Sequence, residues 1–137
     1  MQNLKYIIFF LLWLLLLVPP KLIGKDNSLI DRNPTNTHVV VNHTASFFCP
    51  IEGDPTPVVT WKRNGEDLLG DGERIFIWDE GRNLTIAYAD VSDTARYTCV
   101  ATNKAGETDK SFNLEVQGKW RKLFVRMSLL YCTCTLH

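Results

Sequence analysis

Two cysteines constrain this chain more than any other feature. Ala45, Phe47 and Cys49 alternate with Ser46 and Phe48, and Tyr97, Cys99 and Ala101 alternate with Arg96, Thr98, Val100 and Thr102. A period of two marks a strand with one buried face. Both thiols fall on the inward parity of their strands, so they can meet across a core. In a secreted chain such a buried pair is oxidised. Closing a loop of about 50 residues removes on the order of 4 kcal/mol of unfolded-state entropy, comparable to the net stability of a small domain. A metal site is the other common use of cysteine. It fails here because neither residue has the His or Cys partners nearby that a tetrahedral set needs.

The same periodicity recurs between the cysteines and beyond them. Val59 and Trp61 alternate with Thr60 and Lys62, Leu84 and Ile86 with Asn83 and Thr85, and Phe112, Leu114 and Val116 close the series. Turn residues separate these runs: Gly53 to Pro57, Asn64-Gly65, Asp71-Gly72, Glu80-Gly81 and Ala105-Gly106. Seven or so short strands at this spacing predict an all-β sandwich or barrel over residues 36–117, with no helix longer than a turn.

The two ends read differently. Lys5 precedes an unbroken apolar run from Tyr6 to Val18, then Pro19-Pro20 and a small Gly24. Residues 1–24 therefore read as a secretory signal peptide cut after Gly24, with 25–35 as a linker. The alternative is an uncleaved signal-anchor that gains length from Pro19 to Ile23, since the run alone is short of the roughly 20 residues a membrane span needs. The chain has 137 residues and no net formal charge, with 15 basic and 15 acidic side chains, but the charge is unevenly spread. Residues 25–116 are acidic, whereas 118–137 carry Lys119, Arg121, Lys122 and Arg126 and no acid. That distribution argues against a nucleic-acid face on the central domain. In the tail, Trp120, Leu123, Phe124 and Met127 have the spacing of a basic amphipathic helix. The favoured reading is a disordered chain end without membrane contact, because so short an isolated helix is marginal in water. Cys132 and Cys134 in that tail are left open between joint oxidation, pairing between chains and free thiols.

At this point a resemblance becomes specific. Cys49, Trp61 twelve residues on, and Asp93-Thr-Ala-Arg-Tyr97-Thr-Cys99 resemble an immunoglobulin domain. Gly53-x-Pro55-x-Pro57 before Trp61, with Ala101-x-Asn103-x-x-Gly106 after Cys99, is similar to its I-set subclass. The resemblance implies a Greek-key sandwich with one disulfide between its sheets and Trp61 packed on it. Parity puts Leu84 in the core, and the resemblance adds Tyr97 as the tyrosine corner and an Arg74–Asp93 pair. Ala95 departs from the pattern, standing where the family usually has glycine, and is expected to tighten that turn slightly.

No acid, base and nucleophile set, phosphate loop or metal-protease motif occurs, so no enzyme and no cofactor is implied. Recognition through the surface remains, with another protein as partner, homophilic or heterophilic. Asn42-His-Thr44 and Asn83-Leu-Thr85 are acceptor sequences for N-glycosylation. Strand parity turns both asparagines outward, Asn42 at the start of strand B and Asn83 on strand E, which in this family share a sheet. Glycans there would shield that face. The partner is then expected on the opposite sheet, where Val58, Thr60, Lys62, Thr98, Val100, Thr102, Asn113 and Glu115 point outward. A competing patch is Phe76 with Trp78, although Trp78 is expected to fold over the sandwich end as a lid. The resulting reading is an extracellular recognition module of adhesion, receptor or matrix type, a secreted short form or a fragment of a longer protein. Two alternatives stand beside it. One is an intracellular structural domain of muscle-protein type; the other is a secreted peptide whose basic tail binds membranes or heparin-like polyanions.

Overall fold

The computed structural model describes residues 2–24 and 29–118. A helix, α1 (Gln2–Leu15), buries none of its residues. No helix among the described residues is long and apolar enough to cross a membrane. Ten strands follow: β1 (Val18–Leu22), β2 (Thr35–Val40), β3 (Ala45–Phe48), β4 (Ile51–Asp54), β5 (Val58–Arg63), β6 (Glu66–Leu68), β7 (Ile75–Trp78), β8 (Asn83–Ile86), β9 (Ala95–Asn103) and β10 (Gly106–Gln117). A single 3-10 turn, Val91–Asp93, leads into β9.

These strands form two layers. One is the five-stranded sheet β2-β10-β9-β5-β6, antiparallel except where β2 runs parallel to β10. The other is β3-β8-β7, extended by β1 against β4 beyond the break at Cys49 and Pro50. The period-2 runs explain the layering, because each strand offers one apolar face and the two sheets bury those faces against each other. Trp61, Tyr97, Leu84, Ile86, Cys49 and Cys99 are fully buried between them. Phe47 stacks on Tyr97 at 5.6 Å, and Phe112 lies 5.2 Å from Phe47 and 5.8 Å from Trp61. Cys49 and Cys99 are bonded, linking the two sheets across this core.

The features implied for the corner between β8 and β9 are present. The Tyr97 hydroxyl donates to the Asp93 carbonyl at 2.9 Å. Burial pushes its phenol above the ordinary value. Arg74 Nη2 donates to Asp93 Oδ2 at 2.6 Å, and the same oxygen accepts the Asp90 N–H. Ala95 opens β9 opposite Leu114, outside the left-handed region, so the turn carries it without backbone strain. Trp61 Nε1 donates to the Gly81 carbonyl at 2.6 Å, joining β5 to the turn before β8. Gly81 has φ +86, and a Cβ there would stand 2.5 Å from the Val59 carbonyl oxygen.

The N-terminal boundary differs from the sequence reading. The sandwich does not start at residue 36. Val18–Leu22 is a strand of it, with Leu22 in the core, although the sequence assigns that stretch to the leader. The described part of the supposed linker, residues 29–35, is also fastened down. Ile30 donates its N–H to the Leu22 carbonyl and packs on the core, and the Lys110 ammonium donates to the carbonyls of Asp31 and Asn33. Hydrophobicity alone joins Val18 to the apolar run before it, because both a leader and an inward strand end are apolar. The tail from Lys119 on, with Cys132, Cys134 and the amphipathic spacing, lies outside the described residues.

Candidate functional site

The five-stranded sheet turns a broad face outward. Its cross-strand rows are Val58–Thr102–Glu107, Thr60–Val100–Asp109 and Lys62–Thr98–Ser111, followed by Arg96–Asn113–Asn36 and the pair Glu115–His38. All eight residues read from parity therefore share one face. Val58 is 70% exposed at one end, and Val100 sits mid-face between Thr60 and Asp109. Around them Lys62 Nζ pairs with Asp67 at 3.4 Å, the Thr102 hydroxyl donates to Glu107 at 3.2 Å, and His38 Nδ1 lies 3.3 Å from Glu115.

The sequence reading missed the carboxylates Asp67, Glu107 and Asp109 on this face. The alternation from Phe112 to Val116 continues back along β10 to Gly106, but its inward positions there are Thr108 and Lys110, both buried. Polar residues at buried positions hide a period-2 signal that counts apolar side chains. Lys110 is accommodated because its ammonium reaches two backbone carbonyls.

The opposite face is aromatic. Its rows are Phe48–Asn83–Trp78 and Ser46–Thr85–Phe76. Trp78 is 56% exposed, Phe48 50% and Phe76 39%. The expected lid is not observed. Ile75 and Ile77 hold the inward positions, which leaves Trp78 on the outer face with Nε1 3.3 Å from the Thr85 hydroxyl. Asn83 sits where parity placed it, and its Nδ2 donates to Asp79 Oδ2 at 3.0 Å. Asn42 does not stand on strand B. It lies in the turn between β2 and β3 at φ +68, its N–H donating to the Ala89 carbonyl, so it projects from an end of the sandwich. Asparagine tolerates that left-handed conformation better than most residues.

Asn103 organises the loops at one end. Its Nδ2 donates to the carbonyls of Val18 and Pro55, at 2.8 and 2.9 Å, while Oδ1 accepts the N–H groups of Ala105 and Gly106. One side chain thus ties β1, the loop before β5 and the turn into β10. A second tie, at the β8–β9 end, runs from Arg63 Nη2 to the Ser92 carbonyl.

Two sheets bridged by a disulfide, a tryptophan on the third long strand and a tyrosine corner describe an immunoglobulin-like domain. The Immunoglobulin I-set domain model matches residues 28–116, and the chain belongs to that family. It is 39% identical over 100 residues to Hemicentin-1 of Homo sapiens, covering 72% of this chain and 2% of that protein. It is 34% identical over 111 residues to Neural cell adhesion molecule 1 of Bos taurus, covering 74% of this chain and 13% of that protein. Among solved structures, the Titin M10–Obscurin like 1 Ig complex superposes with a TM-score of 0.62 at 29% identity, covering 74% of this chain and 96% of that one. The chain thus spans only a small fraction of the length of the adhesion-type relatives it matches.

Proposed function

We propose that this domain is an extracellular protein-recognition module whose partner docks on the five-stranded face. The observation that carries the reading is the outer surface of that sheet. Val100 gives it an apolar middle and Val58 an apolar end, and Asp67, Glu107, Asp109 and Glu115 set an acidic rim against Lys62 and Arg96. An apolar centre within a polar rim is the usual anatomy of a protein interface. Such a rim favours a partner with a basic border and makes association sensitive to salt. Similarity to Neural cell adhesion molecule 1 supports an adhesion-type role. The apolar run before Val18 serves as the targeting segment, and the two acceptor asparagines carry glycans away from the docking face. The likeness to titin favours a second reading, an intracellular mechanical link. The Cys49–Cys99 bond weighs against it, since disulfides persist in oxidising compartments.

The test is to couple the secreted, folded chain to beads. One assay scores bead-to-bead aggregation, and a second scores binding to a panel of secreted I-set ectodomains, each with Val100→Arg alongside. Binding lost in the variant supports the face, and binding unchanged by it overturns the face. Intact mass with and without glycosidase and thiol alkylation separates the compartments. A cytosolic product with Met1 and free thiols would favour the mechanical reading.

A further inference from the structure

The aromatic face calls for an explanation of its own. Large aromatic side chains on the outside of a sheet are uncommon on a monomer unless something covers them. Here they are arranged around one residue: Phe48 and Trp78 are the direct cross-strand neighbours of Asn83, one on each side. Direct cross-strand neighbours have Cβ atoms about 4.5–5.5 Å apart. A group attached to Asn83 Nδ2 therefore emerges between two exposed rings.

We propose that Phe48 and Trp78 form a stacking platform for the first N-acetylglucosamine of a glycan on Asn83. The inference rests on the reading of Asn83-Leu-Thr85 as an occupied acceptor. The chemistry fits at three points. A pyranose ring has an apolar face of C–H groups that suits the π-face of an aromatic ring, whose quadrupole is negative. Attachment replaces one hydrogen of the Asn83 amide, and the remaining N–H can keep its bond to Asp79 Oδ2. Finally, Trp78 is steadied by its Nε1 contact with Thr85, so ordering the indole on the sugar costs little additional side-chain entropy. Asn42 supplies an internal comparison, because it stands in a turn and not between two cross-strand aromatic neighbours.

The experiment uses the full chain secreted from eukaryotic cells. Peptide mass spectrometry reads occupancy at Asn83, an endoglycosidase trims the glycan to its first sugar, and Asn83→Gln supplies the chain with that glycan fully removed. Trimming is expected to leave the thermal midpoint unchanged within about 1 °C, and full removal to lower it by about 4 °C or more. Phe48→Thr and Trp78→Thr, made singly so that each variant folds, are each expected to shrink the drop by about half or more. In the unaltered protein, ring currents are expected to move the acetamido methyl protons of the Asn83 sugar upfield of those on Asn42. An occupied Asn83 with no such displacement, and a midpoint indifferent to both substitutions, overturns the platform and leaves glycosylation standing. A secreted chain unmodified at Asn83 overturns both.

Discussion

The two outer faces share one core, yet they differ in kind. The face built on β5, β9 and β10 is polar with two valines, and its charged side chains are spread along the rim. The face built on β3, β8 and β7 is small and aromatic, with an acceptor asparagine at its centre. A strand's inward residues are fixed by the shared core, so sheets pressed against the same interior are free to diverge on their outward parity. Recognition and shielding can therefore be divided between faces without altering the packing beneath.

The substitution with the largest effect removes what the faces share. Cys99→Ala is expected to cost about 4 kcal/mol and to abolish any binding along with the fold, read by chemical denaturation under non-reducing conditions. Gly81→Ala attacks the joint between the layers, where Trp61 of one sheet meets the turn leading to β8 of the other. The forced contact with Val59 and the left-handed backbone are expected to cost about 1–3 kcal/mol, with partial exposure of Trp61 seen in its fluorescence. Val100→Arg separates the faces. Stability is expected to change by no more than about 0.5 kcal/mol, while binding through the five-stranded face weakens at least about tenfold, measured by surface plasmon resonance.

Asp71→Asn is the mildest change and touches only the approach to β7. The Asp71 carboxylate accepts the N–H groups of Ile75, Arg74 and Glu73, and these bonds hold its pKa below the ordinary carboxylate value. A depressed folded pKa contributes stability that is present above the unfolded value of about 3.9 and is lost as pH falls through the folded one. The wild type is thus expected to lose stability more steeply than Asp71→Asn as pH falls below about 4. Midpoints of thermal unfolding across that range would show it. Parallel curves for the two proteins would remove Asp71 from the account.

Much of this was legible before the structure. The inward set from Ala45 to Val116, the disulfide, the corner tyrosine and the eight-residue face all follow from parity and from three or four motif residues. What parity could not deliver were places where polar groups occupy buried positions or apolar groups occupy exposed ones. Lys110 and Thr108 broke the pattern of β10 and concealed Glu107 and Asp109. The sequence points Trp78 to a lid because large apolar side chains are usually covered, a tendency blind to what the register sets beside it. Val18 to Leu22 merged into the apolar run ahead of it, since composition does not distinguish a strand that needs a distant partner from a segment that needs none.

That distant partner has a consequence in time. Asn103 lies 85 positions after Val18, and Lys110 lies 79 after Asp31. At about 5–20 residues per second, a ribosome needs about 4–17 seconds to deliver Asn103 once Val18 has been made. Throughout that interval β1 has no side chain to tie it to the turn into β10. The side-chain tie on the first strand of the domain is thus among the last to be made, well after the residues of its strand partner β4 have been delivered.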